Sequence, residues 1–131
     1  MNDHEPRWTT VNEALDRFRS FLSPSVAANV KILKATRKDL LESPEYNKYR
    51  PAGFPSGLCG VYLMYGKNEE LLYVGLARVS YDKRVWTHDK DVNWHYLDII
   101  PFEGERLFLA SALEEFLINA CRPAVNRNMK R

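Results

Sequence analysis

The apolar and polar positions of the chain follow one pattern before Pro51 and another after it. In the first part, apolar residues recur at helical spacing. They predict a helix over residues 11–22, with Thr10 and Glu13 as a capping box at its start. A second helix is predicted over residues 24–40, with a proline in its first turn.

The second part of the chain predicts a sheet with helices. Residues 59–76 contain two runs rich in β-branched and aromatic residues around the polar segment 66–70, which is typical of a β-hairpin. A short helix (80–89), a strand (96–102) and an amphipathic helix (108–122) follow. The β-β-α-β-α order predicts an α+β fold: a small antiparallel or mixed three-stranded sheet flanked by helices, with two N-terminal helices packed on it.

Length and composition indicate a single globular unit. The chain has 131 residues, and we interpret 1–50 as a helical extension and 51–131 as the core. No apolar run approaches the roughly 18–20 residues of a membrane span, and the N-terminus has no apolar signal-peptide core. We therefore expect a cytoplasmic protein without membrane association. Cys59 and Cys121 are expected to be free thiols.

Two tyrosines lie beside glycines on the predicted hairpin. Residues 60–62 are Gly-Val-Tyr and residues 73–75 are Tyr-Val-Gly, so Tyr62 and Tyr73 lie on paired strands. Aromatic residues favour strands for structural reasons alone, so these tyrosines are either core residues or part of a site. Gly60 and Gly75 are positions where the backbone and a substrate can approach closely.

Polar residues further along the chain could belong to the same site. Arg84 and His88 are four residues apart and share one face of a helix, and a guanidinium beside an imidazole suits a phosphate. Helical angles place Glu114 at the edge of the apolar stripe and Glu115 further toward solvent. Asn126 is either a turn residue or a site residue.

Taken in order, these residues resemble the GIY-YIG endonuclease superfamily. The resemblance covers residues 60–126 and includes Leu-Glu-Glu-Phe-Leu-Ile at 113–118 and Pro-Ala-Val-Asn at 123–126. This register selects Glu114 over Glu115. Each motif alone is weak evidence, whereas the ordered set is specific.

The resemblance implies a metal-dependent endonuclease that hydrolyses phosphodiester bonds of nucleic acid. DNA is the expected substrate, and RNA stays open as the alternative. Glu114 is the implied ligand of one Mg²⁺ or Mn²⁺ ion. Gly60 and Gly75 would let the substrate approach. The implied catalytic residues are Tyr62, Tyr73, Arg84, His88, Glu114 and Asn126.

Residues outside this set would have to bind the nucleic acid. A formal charge of +2 permits nucleic-acid binding without arguing for it. Lys31, Lys34 and Lys38 share one side of the predicted second helix, and with Lys83 they are candidate phosphate contacts, although exposed lysines often serve solubility alone. Trp86 and Trp94 are candidates for stacking on an unpaired base, and core packing is the favoured alternative for Trp86.

Two other functions stay open from the sequence. One is a catalytically inactive nucleic-acid-binding module of the same fold. The other is a protein-interaction domain in which the tyrosines and glycines are structural. A protein partner or a homodimer is also left open.

Overall fold

The computed structural model describes residues 9–37, 59–78 and 92–128. These residues form four strands and four α-helices with one 3₁₀ turn. In chain order the elements are α1 (Val11–Arg19), α2 (Pro24–Ala27), β1 (Leu33–Arg37), β2 (Cys59–Tyr65), β3 (Leu71–Ala77), β4 (Tyr96–Phe102), the 3₁₀ turn (Gly104–Arg106), α3 (Leu107–Cys121) and α4 (Ala124–Asn128).

The strands form one antiparallel sheet in the order β1-β4-β2-β3. The predicted α+β class, the hairpin and the strand over residues 96–102 are confirmed. β2 is central and pairs with β4 along its full length, from Cys59 opposite Phe102 to Tyr65 opposite Tyr96. Pro101 lies past the end of the β1 pairing, a sheet position that tolerates proline because no ladder hydrogen bond is lost there.

The predicted second helix is wrong beyond its first turn. It begins at Pro24 as expected but ends at Ala27, and Leu33–Arg37 form β1 against β4. Between α2 and β1, the Val30 carbonyl accepts a hydrogen bond from Arg19 Nε (2.7 Å). Pairing with β1 provides hydrogen-bond partners for the backbone groups on the otherwise open edge of β4. Local apolar spacing does not indicate this contribution.

One face of the sheet is covered by helices, and we call it the helix-covered face. α3 packs against β2 and β3, and α1 packs against α3. Phe18 and Phe116 join the two helices, with their ring centroids 5.6 Å apart. The strands contribute to this core with Val61, Leu63, Val74, Ile100 and Phe102.

The opposite face carries the tyrosines, and we call it the tyrosine face. Its strand residues are Tyr62, Met64, Tyr73, Ala77, Leu97 and Ile99. Val92 and Trp94, which precede β4, pack with them, and Val125 of α4 lies against the cluster. Strand alternation therefore sorts the two faces, with Val61 and Leu63 on one and Tyr62 and Met64 on the other.

The helix termini explain how the chain reaches the sheet edge. The Thr10 hydroxyl accepts a hydrogen bond from the Glu13 N–H (3.2 Å) at the start of α1. α3 ends at Cys121, and the N–H of the next residue, Arg122, still bonds the Ile118 carbonyl (3.0 Å). The left-handed backbone of Arg122 (φ 49°) then turns the chain out of the helix before Pro123. α4 then packs on β3.

None of the helices in the described residues has the length and apolar run required to cross a membrane.

Candidate active site

The hairpin brings the two tyrosines together on the tyrosine face. In the β2–β3 register Tyr62 lies opposite Gly75, and Met64 lies opposite Tyr73. The two tyrosines are thus diagonal neighbours, and their ring centroids are 6.0 Å apart with the planes at 38°. This offset arrangement is one that aromatic pairs favour.

Gly75 has a defined steric role beneath this pair. A Cβ placed on Gly75 would overlap Cζ and the hydroxyl oxygen of Tyr62 and would lie 2.7 Å from its Cε1. The glycine therefore admits the Tyr62 ring against the β3 backbone. Gly60 has φ 153°, a conformation that side-chain-bearing residues rarely adopt.

The tyrosine face is closely packed. Tyr62 is 0% exposed and Tyr73 is 7% exposed, and the Tyr62 hydroxyl is itself buried. Trp94 is also 0% exposed, so the expectation that its ring stacks on a base is wrong for this conformation: it is a core residue. The sequence pattern indicated the pairing of the tyrosines but not the depth at which they lie.

The two glutamates of α3 differ in exposure as the helical angles predict. Glu114 is half-buried, and Glu115 is exposed. The described residues contain no group of three or more His, Cys, Asp or Glu that could hold a metal ion. A half-buried single carboxylate nevertheless fits Mg²⁺, which prefers oxygen ligands and keeps several of its waters.

Asn126 is buried at the outer edge of β3. It is 8% exposed, and its carboxamide makes two hydrogen bonds to the backbone of one residue, Val74. The side-chain oxygen accepts from the Val74 N–H (2.8 Å), and the side-chain nitrogen donates to the Val74 carbonyl (3.1 Å). The candidate site residue is therefore tied to the strand that carries Tyr73.

Several predicted site residues lie outside the described ranges. These are Lys38, Lys83, Arg84, Trp86 and His88, together with the predicted helix over residues 80–89. Lys31 is exposed and precedes β1, whereas Lys34 lies within that strand. The shared helical face expected for Lys31 and Lys34 is therefore wrong, because the second helix ends before them. Phosphate binding by the lysines stays a prediction.

A polar pocket that the sequence did not predict lies on the helix-covered side of the sheet. This pocket has a volume of about 580 Å³, and Tyr65 and Asp98 line it together with the start of α1. Burial raises the pKa of the Tyr65 hydroxyl well above its usual range, and the Asp98 carboxylate, to which it hydrogen-bonds, raises it further. An aspartate among the apolar residues of an alternating strand was the signal that could have revealed it.

Neither Cys59 nor Cys121 forms a disulfide, as expected, and both are buried. Burial raises the pKa of the Cys121 thiol to about 11, with a smaller contribution from the Glu13 carboxylate, and burial also raises the pKa of Cys59. The Cys59 thiol donates to the carbonyls of Phe102 (3.5 Å) and Glu103 (3.4 Å). Both thiols are protonated at neutral pH and are poor nucleophiles.

Comparison with known proteins adds no relative: no protein-family model matches the chain, and neither a curated protein nor a solved structure does.

Proposed function

We propose that this chain is a metal-dependent endonuclease of the GIY-YIG type, which hydrolyses phosphodiester bonds of nucleic acid, with DNA as the expected substrate and RNA as the alternative. The observation that carries the proposal is the proximity of Tyr62 and Tyr73, whose rings lie 6.0 Å apart on one sheet face. The tripeptides that supply this pair are those in which the sequence resembles the superfamily. Antiparallel pairing brings both tripeptides into one register.

In this proposal the two tyrosines, Arg84 and His88 act on the attacking water and the phosphate. Tyr62 either accepts a proton from the attacking water as its phenolate, which becomes the phenol, or orients that water as the neutral phenol. The pKa of a free phenol is about 10, so the phenolate needs nearby positive charge to form. Tyr73 binds the phosphate. Arg84 stabilises the negative charge that develops in the transition state, and His88 assists proton transfer.

Glu114 is the residue that would hold a divalent cation, Mg²⁺ or Mn²⁺. When bound, such an ion supplies charge neutralisation at the scissile phosphate and at the departing oxygen. The half-buried position of Glu114 supports this role over that of Glu115, because a carboxylate at the core edge is less free to move than an exposed one. Asn126 is the last residue of the proposed site.

The burial of Tyr62 sets a condition on this mechanism. Because its hydroxyl is buried, a phosphate can reach it only after the side chains packed over the tyrosine face move apart. The same observation favours a second candidate, the catalytically inactive nucleic-acid-binding module, in which Tyr62 is a core residue. We keep the cytoplasmic location as part of the proposal, with a protein partner or homodimer left open.

The test is cleavage of DNA and RNA substrates by the purified protein in Mg²⁺, Mn²⁺ or EDTA. Glu114→Ala should abolish cleavage, since it removes the carboxylate that holds the ion, and should leave the fold intact. Glu115→Ala is the matched control, because it removes the same group at an exposed position one residue along. We expect Glu115→Ala to cleave at close to the wild-type rate.

Three outcomes would contradict the nuclease proposal. The first is cleavage that persists in EDTA, and the second is an equal effect of the two glutamate substitutions. The third is the failure of the wild-type protein to cleave any substrate with either ion; if it still bound DNA, the inactive module would be favoured.

A further inference from the structure

Asn126 interacts with β3 as a neighbouring strand would. Its carboxamide accepts from the Val74 N–H (2.8 Å) and donates to the Val74 carbonyl (3.1 Å), so it satisfies both polar groups of one strand residue. Among the described residues β3 pairs only with β2, which makes β3 an edge strand. Exposed edges leave such groups unpaired, and proteins commonly cover them.

The position of Val74 makes this contact relevant to the candidate site. In an antiparallel ladder, successive residues turn their N–H and C=O groups to alternate sides of the strand. Val74 turns both groups outward to Asn126, so Tyr73 and Gly75 turn theirs inward to β2. Asn126 therefore binds β3 at a position between Tyr73 and Gly75, and the Tyr62 ring packs against Gly75.

We propose that Asn126 is a positioning residue that acts as a one-residue strand on the outer edge of β3 and holds Tyr73 and Gly75 in register against β2. Its effect on cleavage is exerted through Tyr73, not through contact with a metal ion or the leaving group. At 8% exposure, and with its oxygen and nitrogen engaged by Val74, the carboxamide offers little surface to a substrate. The effect on cleavage rests on the proposed function, whereas the positioning of β3 does not.

Amide hydrogen exchange by NMR tests the positioning without any substrate. In Asn126→Ala, the Val74 amide loses its acceptor, and we expect its protection to fall by about tenfold or more relative to the Tyr73 and Gly75 amides. The resonances of Tyr73 and Gly75 should also shift. Asn119→Ala is the control, because Asn119 is an exposed asparagine on α3, and it should change none of these.

Unchanged protection at Val74, or an equal loss across the whole sheet, would overturn the proposal. If Asn126→Ala does not fold, a measurement on the wild-type protein still tests the proposal. There, the side-chain NH₂ protons of Asn126 should exchange more slowly than those of exposed Asn119. Equal exchange of the two side chains would also overturn the proposal.

A double-mutant cycle on cleavage tests the route of the effect. If Asn126 acts through Tyr73, Asn126→Ala combined with Tyr73→Phe should lose little more activity than the worse single variant. If Asn126 instead acts on the ion or the leaving group, the two losses should multiply, which would overturn the route. A wild-type protein that fails to cleave would refute the nuclease function, and the exchange data would still decide the positioning.

Discussion

The two faces of the sheet are built from the same strands but differ in what covers them. On the helix-covered face, aliphatic side chains of β2, β3 and β4 pack against α3, which in turn packs against α1. On the tyrosine face, the described residues that pack on the strands from outside are Val92, Trp94 and Val125. The aromatic pair and its underlying glycine lie on this second face.

This contrast separates the interactions that hold the fold from those that could perform chemistry. An aliphatic core between a sheet and a helix stabilises mainly through burial, and any well-packed apolar residue contributes to it. The chemistry available to two phenols over a glycine depends on particular atoms. Removing one phenolic oxygen therefore changes that chemistry. Substitutions on the two faces should therefore change different measured quantities.

The largest expected effect on stability belongs to the helix-covered face. Leu117 of α3 is 0% exposed, and Leu117→Ala should lower the free energy of unfolding by about 2–5 kcal/mol, because it leaves a cavity. Tyr62→Phe removes only a hydroxyl and should cost roughly 0.5–1.5 kcal/mol, yet it should largely abolish cleavage. Denaturant unfolding and cleavage rates measure the two effects. Normal cleavage by Tyr62→Phe would make the tyrosine face a core surface only.

A smaller loss of stability is expected from an added methyl group on the tyrosine face. Gly75→Ala places a Cβ against the Tyr62 ring, and such overpacking costs about 1–3 kcal/mol. Gly104→Ala is the matched control, because a Cβ there meets nothing within 4 Å. Thermal unfolding of the two variants compares them. Equal melting temperatures would mean that the ring moves aside without cost.

The helix cap at the edge of the polar pocket should contribute less. The Thr10 hydroxyl accepts from the Glu13 N–H, so Thr10→Ala should cost about 1 kcal/mol of stability. Thr9→Ala, at the preceding position, removes the same side chain but keeps the backbone bond from its N–H to the Ala120 carbonyl (3.2 Å). It should be close to neutral. Chemical denaturation of both variants measures the difference, and a larger loss in Thr9→Ala would contradict the cap.

The effect that is smallest at neutral pH is the pH dependence from Cys121, because its thiol is then protonated in both the folded and the unfolded state. Burial raises the pKa of its thiol from 9.0 to about 11, so the folded protein favours the protonated form. The resulting stability is fully present below pH 9 and is lost as the pH rises through about 11. The melting-temperature difference between wild type and Cys121→Ala should therefore move against the wild type across this interval. Rapid alkylation of Cys121 in the folded protein at neutral pH would contradict this assignment.

Local pattern was sufficient wherever an element buries one side of itself. The hairpin, the strand Tyr96–Phe102 and the helix Leu107–Cys121 all show alternation or helical spacing within a few residues, and the structure confirms them. The same spacing ranked the exposure of Glu114 and Glu115 correctly. It misassigned Leu33–Arg37, because a segment as short as Leu-Lys-Ala-Thr-Arg is compatible with both a helix and a strand.

The sequence by itself determined the period of each element, and thereby which side chains face the core. Only the tertiary structure decided that Leu33–Arg37 would pair with β4, that the carboxamide of Asn126 would bind Val74 and that Tyr62 would be fully buried. Each of these outcomes depends on a partner that is remote in the chain; Asn126 and Val74 are 52 residues apart. Periodicity records the environment of a residue averaged over its own element, whereas a hydrogen bond to a distant strand depends on where the whole chain has placed both groups.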